Sequence, residues 1–163
     1  KELVSLRERG GRLFIIGLGG SAANASHAVN DFKKLCNIQA FCATDNIAYL
    51  TALANDEGWE NCMSHWLCGA DPEDALLVLS VGGGTDQVSL PITRCLKAAD
   101  MYGCKIFGIV GRYGGNTQSY ANPCIIIPTV EPSRVTPHTE GWQSVILHAI
   151  VSHPDLQRNN TKW

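Results

Sequence analysis

Arg12-Leu13-Phe14-Ile15-Ile16-Gly17-Leu18-Gly19-Gly20-Ser21 decides the fold. An apolar run of strand character empties through three glycines into a helix-like segment, Ala22–Leu35. A strand that ends this way holds anions. The unpaired N–H groups of the turn and first helical turn point outward, and the helix dipole adds positive potential. Ser21 falls where an N-cap is expected, its hydroxyl free to cap the helix or face the anion. The glycines at 17, 19 and 20 miss the spacing of the dinucleotide fingerprint, and Ser21-Ala22-Ala23 replaces the lysine-bearing end of a P-loop. The pattern implies a sugar phosphate rather than a nucleotide.

The same alternation continues outward. Strand-like runs fall at Leu13–Gly17, Ala40–Ala43, Ala75–Val81, Lys105–Val110 and Cys124–Ile127, all nearly continuous in hydrophobicity, as strands covered on both faces require. Helix-like segments lie at Ala22–Leu35, Asn46–Asn55, Trp59–Leu67, Gln87–Tyr102 and near His138–Ser152, and the first nine residues read as the end of another helix. This order predicts an α/β fold, a three-layer αβα sandwich around a five-stranded parallel sheet in the order 2-1-3-4-5. Ligands of such sheets bind at the carboxyl ends of the strands, where the winding reverses. That point lies between the first and third strands, whose glycine-rich exits, Gly17–Ser21 and Ser80–Thr85, are expected to share one mouth.

The 163 residues suit a single domain spanning 1–163 with a substantial core. A net charge of −2 leaves no electrostatic footprint for nucleic acid. No apolar run approaches the roughly 20 residues that cross a bilayer, and no signal peptide opens the sequence. Neither nucleic acid nor membrane is therefore an expected partner. The seven cysteines are odd in number and form no Cys-x-x-Cys pair, so they read as small buried hydrophobes of a reducing cytoplasm.

Two pairs of side chains carry candidate chemistry. His27 and Asp31 are four apart on the first long helix and share a face; Glu140 and His148 are eight apart, about two turns, on the last. Such a set suits a divalent metal such as zinc, or a metal-free general acid–base pair, or a solvated surface contact with no chemistry. Thr85 falls at an expected helix N-cap. Asp45 reads as a helix cap and Asn55-Asp56-Glu57-Gly58 as a helix stop.

Gly17-Leu18-Gly19-Gly20-Ser21-Ala22-Ala23-Asn24-Ala25-Ser26-His27 resembles the Gly-Asn-Gly-Gly-Ser…His signature of bacterial phosphoheptose isomerases, members of the sugar isomerase (SIS) domain superfamily. Asp45 to Asp56 resembles that family's segment ending in Asn-Asp, Ser80–Thr85 takes the place of its Ser-Thr-Ser-Gly-Asn-Ser phosphate loop, and Ile109-Val110-Gly111 with Gly114-Gly115 also fits. The resemblance implies isomerisation of sedoheptulose 7-phosphate to a heptose phosphate by a cytoplasmic homotetramer with sites at subunit interfaces. It further implies one zinc ion (Zn2+) held by His27, Asp31, Glu140 and His148, with Asp31 as catalytic base and His148 as the acid partner; Glu140 is the base expected in Asp31's stead. Gly19, Gly20, Ser21, Asn55, Asp56, Ser80, Gly82, Gly83 and Thr85 are the implied substrate-binding residues.

Four departures stand out. Asp31 is one methylene shorter than the family's glutamate, Glu140 replaces a glutamine, Leu18 replaces an asparagine, and Val81 and Gly82 remove two hydroxyls from the phosphate loop. They motivate a rival expectation, a non-catalytic SIS module that binds a phosphosugar and signals to a protein partner, and a third, an enzyme for another phosphosugar.

Overall fold

Leu13 and Ile15 of the first strand, β1 (Arg12–Ile16), join one buried cluster while Phe14 and Ile16 join another, so alternate residues anchor opposite faces of one sheet. The computed structural model describes residues 1–161. Its elements run α1 (Glu2–Glu8), β1, α2 (Gly20–Cys36), β2 (Gln39–Cys42), α3 (Ile47–Asp56), α4 (Cys62–Trp66), β3 (Ala75–Ser80), α5 (Leu90–Met101), β4 (Lys105–Val110), α6 (Gly115–Tyr120), β5 (Cys124–Ile126) and α7 (Val135–Val151). A 3-10 turn at Pro132–Arg134 leads into α7. Every strand pairing is parallel, in the order β2-β1-β3-β4-β5 that the sequence predicts.

Leu6 of α1, Phe32 of α2 and Leu147 and Val151 of α7 pack with Leu13, Ile15, Leu77 and Ile109 on one face. Met63 of α4 and Ile92, Leu96 and Ala99 of α5 pack with Phe14, Ile16, Leu76 and Val78 on the other. Ile16 pairs with Val78, so the carboxyl ends of β1 and β3 lie side by side and their glycine turns open on one edge. No helix among the described residues is long and apolar enough to cross a membrane.

Local boundaries depart from expectation where glycine or a side chain redirects the chain. The two edge strands are not covered on both faces: Gln39 and Phe41 of β2 are exposed, and β5 is only three residues long. α2 begins two residues early, at Gly20. α5 begins late, at Leu90, because Thr85 Oγ1 accepts from Gln87 N and Val88 N and closes a separate turn. Thr85 is therefore not the cap of α5; that position belongs to Ser89. Asn46, not Asp45, caps α3, while Asp45 accepts from Ser26 Oγ and Cys42 N. α6, with one glycine and no apolar periodicity, gave no sequence signal.

All seven cysteines are free, and five of them are buried. Burial pushes the Cys36 and Cys104 thiols up to about 11, so they stay protonated at neutral pH and pack as hydrophobes. Cys68 is exposed.

Candidate active site

α2 starts on Gly19, whose φ of 60° and ψ of −129° suit a residue without a side chain. Because the helix starts there, Ser21 falls inside its first turn. Ser21 is buried, and its hydroxyl donates to Gln143 Oε1 at 3.0 Å. It does not cap the helix, contrary to the sequence expectation, because the cap position falls at Gly19. The open side of Gly20 is covered by Glu140, whose carboxylate a β-carbon at position 20 would strike. The first turn of α2 thus already has a negative group over it.

Two turns into α2, His27 and Asp31 meet His148 of α7. His27 Nε2 faces His148 Nε2 at 3.0 Å, and Asp31 Oδ2 lies 3.3 Å from the first and 3.6 Å from the second. A tetrahedral zinc with ligand bonds of about 2.0–2.1 Å separates its ligand atoms by about 3.3 Å, so these three atoms fit such an ion. Asp31 is buried, and among the described residues no lysine or arginine pairs with it. A buried carboxylate that meets two imidazoles through one oxygen and the Asn30 amide through the other, with no cationic side chain paired to it, suits a cation. Three protein donors leave a fourth position open, the pattern of catalytic rather than structural zinc.

Glu140 stands apart from this group. It is eight residues before His148, about 12 Å along α7, and its carboxylate lies over Gly20 instead. Shared facing on one helix does not bring both ends of two turns to one point.

Gln143 was not singled out in the sequence, yet it joins three elements. Fully buried on α7, it accepts from Ser21 Oγ and Asn24 Nδ2 of α2 and donates to the carbonyl of Ile109 in β4. Asn24 also donates to the Glu140 backbone carbonyl at 2.8 Å. These bonds fix the stagger of α7 against α2, and hence the approach of His148 to His27. A glutamine in line with Leu147 and Val151 on the buried face of α7 was the available signal.

The second turn is tied to the loop after β4. Ser80 Oγ accepts from Gly83 N at 3.0 Å, while the carbonyls of Gly83 and Gly84 accept from the first N–H groups of α6, those of Thr117 and Asn116. Gly83 takes φ +74°, and a β-carbon there would strike the Gly114 carbonyl. The hydroxyl protons of Ser80 and Thr85 remain available to an acceptor, because both oxygens only accept from amides. Asn55 and Asp56 end α3 exposed, with Asn55 Nδ2 donating to Asp56 Oδ1 at 2.8 Å.

A carboxylate set between imidazoles can move protons, and the second glycine turn, at the same sheet edge, offers hydroxyls and amides to an anion; together with the fold this defines a sugar-phosphate isomerase. No family model matches the chain. A phosphoheptose isomerase of Geotalea daltonii is 31% identical over 147 residues, covering 86% of this chain and 72% of the relative. Another, of Trichlorobacter lovleyi, is 28% identical over 156 residues, with 92% and 76% covered. The solved phosphoheptose isomerase GmhA from Neisseria gonorrhoeae superposes with a TM-score of 0.77 at 24% identity, covering 92% of this chain and 79% of that one. The chain belongs to the phosphoheptose isomerase family.

Proposed function

We propose that residues 1–163 form one SIS domain that interconverts sedoheptulose 7-phosphate and a heptose 7-phosphate through an enediol, with zinc at the His27–Asp31–His148 group. The convergence of those three side chains at 3.0–3.6 Å carries the reading. The relatives named phosphoheptose isomerase supply the substrate.

His27, Asp31 and His148 would hold the zinc, which would supply polarisation of the carbonyl and hydroxyl oxygens of the substrate. The rest falls to the chain. Asp31 takes the proton from the carbon next to the carbonyl and returns it to the neighbouring carbon. Asn30 Nδ2, 3.0 Å from Asp31 Oδ1, holds the carboxylate in place. When its Nε2 is not engaged by a metal ion, His148 accepts the proton of one enediol oxygen and delivers one to the other, so the reaction is redox-neutral overall. Ser80, Thr85, Gly82 and the free amides of that turn hold the phosphate. Gly19, with open space on its bare side, lets the sugar chain approach the start of α2, while Asn55 and Asp56 bind its hydroxyls.

Placing Glu140 over Gly20 argues against its service as zinc ligand or base and sends the phosphate to the second turn. The catalytic role thus rests on Asp31. The site is half open, with both imidazoles 54% exposed, which supports a homotetramer whose neighbouring subunits close it; the cytoplasm is its proposed compartment.

Incubating the purified protein with sedoheptulose 7-phosphate and zinc, and following heptose phosphate by mass spectrometry and NMR, tests the reading. Turnover lost in Asp31→Asn but not in Glu140→Gln is the expected result. No turnover by the zinc-loaded wild type rejects it.

A further inference from the structure

Arg112 sits in the loop between β4 and α6 with φ +51°, a left-handed conformation that strains a residue bearing a side chain. Strain of this kind persists where the surroundings impose it, and it clusters at ligand sites. Here the surroundings are the second glycine turn. Gly111 N donates to the Ser80 carbonyl, and Thr117 Oγ1 donates to the Gly83 carbonyl at 2.7 Å. The two loops are stitched together, and Arg112 is delivered to the turn. A β-carbon at Gly82 would lie 3.8 Å from Arg112 Cδ, so the arginine stem runs beside the bare backbone of that residue. The Arg112 side chain is exposed and, among the described residues, has no hydrogen-bond or salt-bridge partner.

The turn itself is poor in groups for a dianion. Positions 81 and 82 carry no hydroxyl, and Gly83 N already donates to Ser80 Oγ. A bare glycine at 82 also keeps a side chain off the arginine stem, which would be in contact with a β-carbon there.

We propose that Arg112 clamps the phosphate of the substrate against the Ser80–Thr85 turn, supplying the charge that this turn lacks. A guanidinium offers paired donors that match phosphate geometry. The proposal rests on the sugar-phosphate reading above and deepens it.

Three substitutions test it: Arg112→Ala, Arg112→Lys and Arg112→Gly. Inorganic phosphate binding is followed by titration calorimetry and KM and kcat by turnover of sedoheptulose 7-phosphate. Arg112→Ala is expected to weaken phosphate binding and raise KM by about ten- to a hundredfold, with kcat and zinc content little changed. Arg112→Lys, keeping a point charge, recovers part of the loss. Arg112→Gly separates binding from structure: glycine relieves the backbone, so Tm holds or rises while phosphate affinity still falls. Wild-type phosphate affinity and KM in both the Ala and Gly variants overturn the clamp. A wild type that binds phosphate through Arg112 but turns over no sugar overturns the isomerase reading and leaves the clamp standing.

Discussion

At the scale of single residues, the difference between Glu140 and the histidine group can be measured directly. Glu140→Gln removes a charge over the first turn of α2, where a carboxylate is favoured by the helix dipole. It is expected to lower stability by about 0.3–1 kcal/mol in chemical denaturation. Zinc content, read by atomic emission, stays unchanged in this variant but falls to background in His148→Ala. Equal zinc loss in both would return Glu140 to the metal site. A second residue-scale prediction concerns Asp74, which accepts from Arg12 N at 2.8 Å, from Arg12 Nε at 3.0 Å and from Asp71 N at 3.1 Å. Burial alone pushes its carboxyl up, but the hydrogen bonds and charge of Arg12 outweigh this and leave it below the usual carboxylate range. A depressed folded value means the contribution is complete above about pH 3.9, the ordinary unfolded value, and disappears as pH falls through the lower folded one. Asp74→Asn should therefore cost about 1–3 kcal/mol at pH 7. The gap between variant and wild type should narrow in urea titrations below pH 4; a gap independent of pH contradicts the linkage.

At the scale of elements, helix pairing brings the site together, and Gln143 is its keystone. Gln143→Leu leaves Ser21 Oγ and Asn24 Nδ2 without their buried acceptor, at about 1–3 kcal/mol for such a group. The expected outcome is a lowered Tm together with a fall in kcat larger than the change in KM, since α7 carries His148 and not the phosphate turn. A Tm loss with unchanged kcat would show that the α2–α7 stagger does not matter to chemistry. This is also where sequence reading met its limit. Strand order was legible because Leu13 to Ile16 and Ala75 to Leu79 are apolar at every position, which leaves few topologies. His27 and Asp31 were legible because they belong to one helix. The relation of Glu140 to His148 was not, since it depends on how α7 is rotated and staggered against α2, and a buried amide sets that. Ser21 and Thr85 were misplaced for a related reason: cap positions depend on backbone angles at Gly19 and Ser89 that composition does not fix.

At the scale of the whole molecule, the half-open cluster and the apolar surface beside it belong to one problem. Trp142 and Val145 of α7 are 55% and 54% exposed, one turn or two before His148, while Ile47 and Tyr49 of α3 are also uncovered. Charge alone will not keep such faces apart, because the chain carries a net charge of only −2. In the proposed tetramer these side chains leave water and the imidazoles lose solvent together. Trp142→Glu places a charge in the middle of that apolar stretch and is expected to shift the sedimentation profile from tetramer toward smaller species. Because Trp142 is not among the residues proposed to bind or act on the substrate, a loss of kcat in this variant measures what subunit closure contributes to proton transfer. Raising the protein concentration should restore both assembly and activity in parallel, since association responds to mass action and a broken site does not. A wild type that sediments as a monomer with full turnover would show that one chain suffices, and that the exposed face of α7 serves something other than the reaction.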